Sequence, residues 1–369
     1  MYRIFPNLWL KNMETLAAPY IPVSRVYQTR LGEVDWDNLE TGRFVSDHML
    51  VCDYTGGKWQ EAAIMPYGPF SLLPTSLAFH YGQTIFEGMK AFRAEDGRVQ
   101  IFRLHKHYER LVRTAERLCM PVVSPELFRE GLRRLVELEQ GWVPAQDGGA
   151  LYLRPFQIAT DTKLRVKVSE SYKFAVVCSP TGSYFSRPLR VKVERNFVRA
   201  AKGGTGYAKC GGNYGGALYP TELANAEGYD QVLWTDGLEH EYIEESGMMN
   251  VFFVIGDVLV TPPLSDSILD GVTRDSLLVL ARDAGMRVEE RPVSVKELEQ
   301  GLKRGVVKEA FGAGTAAVVS PIRAIGMDGR DYELAVAGEK RSHANILKHA
   351  LDDIRYGRST DIYEWNYFV

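Results

Sequence analysis

Cysteine is scarce in this chain. Four residues in 369, Cys52, Cys119, Cys178 and Cys210, lie scattered with no CxxC pair. That spacing offers neither a disulfide framework nor a zinc knuckle. Histidine is sparse too, seven residues without HExxH or a similar ligand spacing, so no metal site is expected. His105 and His107 stand two apart, point to different faces of a helix, and read as surface residues. No uninterrupted apolar run approaches the ~20 residues of a membrane helix. The best candidate, residues 248–260, is broken by Asn250, Gly256 and Asp257. Neither sign of charge dominates: 44 basic and 47 acidic residues leave a net charge of -3. Nothing therefore points to nucleic acid or to an anionic membrane surface. The first six residues hold one basic residue and no sustained apolar stretch. They do not read as a secretory signal, and a cytoplasmic location is expected. Internal repeats and low-complexity segments are also missing.

What is present is the composition of a folded protein. Hydrophobic residues make up 45% and charged residues 25%, near the averages for globular domains. At ~150 residues per domain the length fits about two domains. Residues 99–102 read as a strand, joined to a strand-like piece ending at Phe92 by a hairpin at Asp96-Gly97. Leu104, Tyr108, Leu111, Val112, Ala115 and Leu118 have the spacing of an amphipathic helix. Ser124 and Pro125 open a second helix, which runs to about Gly141. Strands follow at 150–158 and 173–178. Residues 179–188, with Pro180, Gly182 and Pro188, read as a linker. It divides the chain into an N-terminal domain, 1–178, and a C-terminal domain, 189–369. Beyond it, residues 189–193 alternate as a strand, and Pro220 should kink or delay a helix that reaches Gly228. Strand signal returns at 231–234 and 251–260, the latter with a hairpin signal at Gly256-Asp257. Residues 273–284 form a helix ended by Gly285. Mixed elements in both halves give an α/β or α+β class.

The stretch from Gly203 to Gly216 holds seven glycines in fourteen residues. Backbone with no side chains can approach a ligand closely. It is not a P-loop, since GxxxxGK followed by Ser or Thr is absent, and it does not fit a dinucleotide fingerprint. The plain alternative is a flexible surface loop. A lysine in a tight, partly desolvated pocket becomes an amine able to form a Schiff base. Lys202 and Lys209 both qualify by composition, and spacing alone does not choose between them.

Six segments, taken in order, resemble the branched-chain amino acid aminotransferases, of bacterial type. They are Phe79-His80-Tyr81-Gly82 through Phe86-Glu87-Gly88-Met89-Lys90-Ala91-Phe92, then Leu151-Tyr152-Leu153-Arg154-Pro155, then Lys209-Cys210-Gly211-Gly212-Asn213-Tyr214. Glu245-Ser246-Gly247-Met248-Met249-Asn250, Gly271-Val272-Thr273-Arg274 and Phe311-Gly312-Ala313-Gly314-Thr315-Ala316 complete the set. The resemblance implies a fold-type IV enzyme that depends on pyridoxal 5'-phosphate. Such an enzyme has a smaller N-terminal α/β domain and a larger C-terminal pseudo-barrel domain, and works as a homodimer. It moves the amino group of L-leucine, L-isoleucine or L-valine to 2-oxoglutarate by a ping-pong route. Its partners are small amino acids and 2-oxo acids.

By the same resemblance Lys209 is the Schiff-base lysine and the proton shuttle, which leaves Lys202 an ordinary solvated side chain. Glu245 becomes the partner of the pyridine nitrogen, keeping the ring protonated as an electron sink. Glu244, on the other face of an extended segment, is left as a solvated acid. Tyr214 is the donor to the phenolic oxygen. Arg103 matches the phosphate arginine, and Val272 and Thr273 offer helix N-terminal amides to the same anion. Asp270 stands where many relatives have Pro and should point away from a phosphate. Thr315 adds a hydroxyl, and the amides of Ala316 and Ala317 are placed for the substrate carboxylate. Phe86, Tyr152 and Tyr184 are pocket walls, with Tyr81, Leu164 and Val166 contributed across the dimer interface. Arg154 resembles the residue that meets the γ-carboxylate of glutamate. Its alternative is a strand arginine paired with an acid. Met248 departs from the Thr or Gly of many relatives, and the redox CxxC of some animal relatives is absent.

Two rival readings stay open on sequence. One is a sister activity on the same fold, D-amino-acid transamination or 4-amino-4-deoxychorismate lysis. The other is a non-catalytic phosphate- or nucleotide-binding module built on the glycine-rich loop.

Overall fold

The computed structural model describes residues 19–182, 187–334 and 342–369. Two nine-stranded sheets organise them. Every strand from His48–Thr55 to Tyr172–Thr181 belongs to the first sheet, and every strand from Leu189–Val193 to Arg330–Glu333 to the second. The chain then returns: Asn366–Phe368 pairs antiparallel with Val99–Phe102, so the first sheet takes its last strand from the C-terminus.

The first sheet is built on local hairpins. Met89–Arg93 and Val99–Phe102 pair through Arg93 and Val99, with Gly97 at φ +85° in the turn. Glycine adopts that conformation at no steric cost. The helix Leu104–Arg117 buries Leu104, His107, Leu111, Thr114 and Ala115, steps of three and four that make one face. Ser124 caps the helix Pro125–Leu138 by accepting the Leu127 N–H at 3.2 Å, with Pro125 at its first position. Both helices press this face onto strand residues such as Leu50 and Leu153 in one apolar core.

The expected linker begins inside a strand. Tyr172–Thr181 runs through Ser179, Pro180 and Thr181, which pair with Tyr152, Leu151 and Ala150. The pairing on its other side ends at Leu50 and Val176. Past that point the strand is an edge, where a proline sacrifices no second ladder.

The second sheet closes on itself. Ile243–Ser246 pairs with both Gln231–Thr235 and Met249–Ile255. The ring is completed by Leu189–Val193, Val318–Met327 and Val307–Gly314. Val251 and Phe253 point into the ring, while Phe252 and Val254 face the helices Val272–Asp283 and His343–Arg355. This is the period of two of a strand buried on both faces. The predicted hairpin forms, with Ile255 opposite Val258 around Gly256-Asp257. Pro220 sits third in the helix Leu218–Ala226, near its start, where a missing N–H costs little.

Candidate active site

A cavity of about 500 Å³ lies where the two sheets meet, with walls from the first sheet, the glycine-rich loop and the second sheet. The loop is fixed rather than loose. Phe86 donates its N–H to the Lys209 carbonyl at 3.0 Å, and Gly211 donates to the Thr84 carbonyl at 3.1 Å, so the strand Thr84–Phe86 holds both sides of Cys210. Asn213 staples the loop through Nδ2 to the carbonyls of Thr205 and Ala208, both at 2.8 Å. Within this frame the Lys209 Nζ reaches into the cavity, 3.1 Å from the Tyr214 hydroxyl and 4.8 Å from the centre of the Phe86 ring. Lys202 is exposed and does not line the cavity.

Glu245 lies across the cavity on the strand Ile243–Ser246, buried. Its Oε1 accepts the Leu269 N–H at 2.8 Å and the Asn250 Nδ2 at 3.3 Å, and its Oε2 lies 3.1 Å from the Arg199 Nε. Burial pushes its carboxyl pKa up, against the opposing pull of Arg199. Glu244 departs from its reading as a solvated acid. Both faces of this barrel strand are covered, so Glu244 is also buried, with Oε1 accepting the Ser267 hydroxyl and Oε2 without a partner among the described residues. Burial raises its pKa to about 7.

One end of the cavity gathers the amides of a helix N-terminus and a guanidinium. The helix Val272–Asp283 starts at Gly271, which offers no side-chain cap, so its first amides are left without an intrahelical partner. A Cβ on Gly271 would fall 1.9 Å from the Asn250 Oδ1, so the backbone here packs more closely than a side chain allows. Arg110 lines the cavity at this end, and Arg103, the expected phosphate arginine, does not line it. The Arg103 guanidinium binds Asp275, approaches the Ser276 hydroxyl at 3.4 Å and stacks 4.7 Å from the Trp365 ring. Arg110 stands seven residues on, inside the helix Leu104–Arg117. Its Nε and Nη2 hold the two oxygens of Glu87 at 2.7 and 2.8 Å, and its Nη1 donates to the Asp270 carbonyl at 3.0 Å. One hydrogen on each terminal nitrogen remains for a ligand.

Glu87 is fully buried, and burial alone would raise its pKa. Arg110 and His107, whose Nδ1 lies 2.8 Å from Glu87 Oε2, outweigh that and hold the carboxyl well below its usual range. His107 is therefore a core residue and not a surface one, because the helix spacing that buries Leu104 and Leu111 buries it too. The Asp270 carboxylate points out of the cavity to Arg113 at 2.7 Å, with Lys106 at 3.8 Å.

Val272, Thr273, Thr315, Ala316 and Ala317 all line the cavity. So do Phe86, Tyr152 and Arg154. Arg154 Nη2 donates to the Tyr152 hydroxyl at 2.8 Å, and its guanidinium carbon sits 4.7 Å from the Phe86 ring and 5.1 Å from the Tyr152 ring. No acid pairs with it among the described residues, and its Nε is buried without a partner. A Cβ on Gly88 would meet the Tyr152 hydroxyl at 2.1 Å, so glycine gives that ring its place. Met248 is 59% exposed and stands at the rim. Tyr81, Leu164 and Val166 do not line the cavity and are exposed by 39%, 68% and 78%. Tyr184 lies outside the described residues. Sequence reasoning passed over Arg199, Glu87 and Arg110. The Phe86-Glu87-Gly88 segment contained one signal, since an acid in a buried apolar segment needs a cation. Among the described residues no group of His, Cys, Asp and Glu could hold a metal ion, no helix is long and apolar enough to cross a membrane, and all four cysteines are free.

An uncapped helix N-terminus, a buried arginine fork, a lysine and a facing carboxylate thus line one cavity. Residues 84–325 match the model of the family described as amino-transferase class IV, and the chain belongs to that family. It is 45% identical over 336 residues to branched-chain-amino-acid transaminase 1 of Bacillus subtilis (strain 168), covering 90% of this chain and 94% of that protein. To branched-chain-amino-acid aminotransferase 2 of the same strain it is 43% identical over 342 residues, 91% and 94% of the two chains. The branched-chain aminotransferase of the thermophilic archaeon Thermoproteus uzoniensis, solved with norvaline, superposes with a TM-score of 0.71 at 25% identity, covering 87% of this chain and 99% of that one.

Proposed function

We propose that Lys209 is the reactive amine of a site that transfers the amino group of L-leucine, L-isoleucine or L-valine to 2-oxoglutarate, reversibly. The observation that carries this is the Lys209 amine set between the Tyr214 hydroxyl and the Phe86 ring, in a cavity with Glu245 on its far wall and an anion cup at one end. The residues fit pyridoxal 5'-phosphate: Arg110 and the amides of Val272 and Thr273 hold a phosphate, with the Thr315 hydroxyl beside them. When bound, that cofactor supplies the carbonyl that takes the amino group and a ring that accepts electrons. Glu245 holds a proton at the ring nitrogen, with Arg199 and the Leu269 N–H keeping its carboxylate oriented. Tyr214 donates to the phenolic oxygen. Lys209 would take the proton from the substrate Cα and deliver it to the cofactor carbon C4′, as a positioned general base and then acid.

The amides of residues 316 and 317 take the α-carboxylate. Phe86 and Tyr152 enclose an uncharged branched side chain, and Arg154 meets the second carboxylate of glutamate. The exposed Tyr81, Leu164 and Val166 are covered by a second copy of the chain, each subunit completing its partner's pocket. Exposed apolar side chains of this size on one half support a homodimer. The protein works in the cytoplasm. Borohydride reduction followed by peptide mapping tests the assignment. The cofactor label is expected on Lys209, and a label on Lys202 would reject it.

A further inference from the structure

Residues 315–317 join the strands Val307–Gly314 and Val318–Met327, and the pairing of Gly314 with Val318 closes the turn. Val318 follows the turn with φ +60°. A β-branched residue in the left-handed region is strained and persists only where its surroundings hold it. Two side chains do so. Ser320 Oγ donates to the Ala317 carbonyl at 3.2 Å. Lys90, from the strand Met89–Arg93 of the other sheet, donates its Nζ to the Ala316 carbonyl at 3.0 Å.

Lys90 is costly where it stands. It is 4% exposed, and among the described residues no acid lies within ion-pair distance. Burial, with Arg355 nearby and Asp352 opposing it, lowers its pKa to about 7. Its one hydrogen bond among the described residues goes to the tip of the loop. The position of that bond decides which way the loop presents its backbone. A trans peptide is planar, with C=O and N–H on opposite sides. The Ala316 carbonyl and the Ala317 N–H share one such plane. Ala316 and Ala317 form a wall between the Lys209 cavity and a smaller one behind, and Lys90 lines only the smaller one. A carbonyl held back toward Lys90 therefore turns the Ala317 N–H forward, into the Lys209 cavity.

We infer that Lys90 is a positioning residue for the substrate carboxylate: it locks the Ala316–Ala317 peptide so that an N–H, not a C=O, faces the cavity. This rests on the reading of the loop amides as the carboxylate site. Without the lock the peptide can turn over and set a carbonyl oxygen against the carboxylate. The hydrogen bond at stake is to a charged group, so its loss corresponds to about a 10-fold weakening or more.

The test compares holoenzyme of wild type and Lys90→Met, an apolar side chain of similar length. The probe is 4-methylvalerate, which is leucine without its amino group. Its Kd and the leucine KM are expected to rise about 10-fold, while kcat changes by much less and bound cofactor is retained. An unchanged Kd would overturn the inference, as would equal losses in kcat and cofactor retention, which mark a merely structural lysine. Should Lys90→Met not fold, wild-type holoenzyme labelled with 15N-alanine supplies the second measurement. The Ala317 amide resonance is expected to move when 4-methylvalerate is added, and an unmoved one overturns the inference. A separate arm checks the underlying reading. If wild type binds 4-methylpentan-1-ol as well as 4-methylvalerate, the loop is not a carboxylate site, and the role of Lys90 falls with it.

Discussion

Replacing Arg154 by Gln separates the two kinds of substrate that one pocket must accept. A branched side chain brings no charge, whereas glutamate and 2-oxoglutarate bring a second carboxylate that loses its water on entering. That loss is severe unless a cation meets it. In the proposed reading Arg154 is that cation: its guanidinium lies against the Phe86 and Tyr152 rings, and one hydrogen bond, to Tyr152, is its only one among the described residues. The remaining donors have no partner among the described residues, so a γ-carboxylate gains charge-assisted bonds without breaking an ion pair there. Such bonds are worth ~1.5–3 kcal/mol, or roughly 10- to 150-fold in affinity. Gln keeps a polar group near Tyr152 and removes the charge. Single-turnover absorbance gives kcat/KM for each half-reaction. The glutamate value is expected to fall by that factor, and the leucine value to fall less or not at all. Equal losses for the two substrates would refute the reasoning and make Arg154 structural.

Three further outcomes follow from the buried charges. Glu244 has its pKa raised from 4.5 to about 7, so the native state binds its proton more tightly than the unfolded chain does. Stability then falls as pH rises from 4.5 to about 7, and the penalty is fully present above that range. Glu244→Gln should stabilise the protein by about 1–2 kcal/mol at alkaline pH, allowing for screening, and much less at acid pH. Denaturant melts at both pH values check this, and equal shifts would contradict it. Arg110→Gln should lose cofactor and also cost about 3–5 kcal/mol, because Glu87 is left buried without its partner. Adding Glu87→Gln should recover stability but not cofactor affinity. Recovery of both would show that Arg110 acts only as a counter-ion.

The motifs that could be read along the chain were those whose parts are close in sequence. Ser124-Pro125, Asp96-Gly97 and Gly256-Asp257 act on their immediate neighbours, and each forms what its local chemistry dictates. Which arginine lines the cavity is not legible in that way. Arg103 precedes the helix that carries Arg110, and Asp275 approaches the first while Glu87 approaches the second. His107 and Glu244 were misjudged for the same reason. Each is buried by a segment some twenty residues or more away in sequence, the connection carrying Glu87 in one case and the segment carrying Ser267 in the other. Alternation assigned Glu244 to an outer face, but a strand in a closed ring wrapped by other elements has no solvated face there. Lys90 sat within a recognised motif, yet its partner lies 226 residues away. The return of residues 366–368 to the first sheet was equally hidden, since a three-residue strand carries too little pattern to declare its partner.

The central claim, amino transfer from branched-chain L-amino acids to 2-oxoglutarate, is tested most directly by a donor panel. Purified holoenzyme is given 2-oxoglutarate with L-leucine, L-isoleucine, L-valine or D-alanine, and the glutamate formed is followed by chiral chromatography. The three branched-chain donors are expected to yield L-glutamate and their 2-oxo acids, with little product from D-alanine. Preferential use of D-alanine, or glutamate of the D configuration, would contradict the account and favour the sister activity on the same fold.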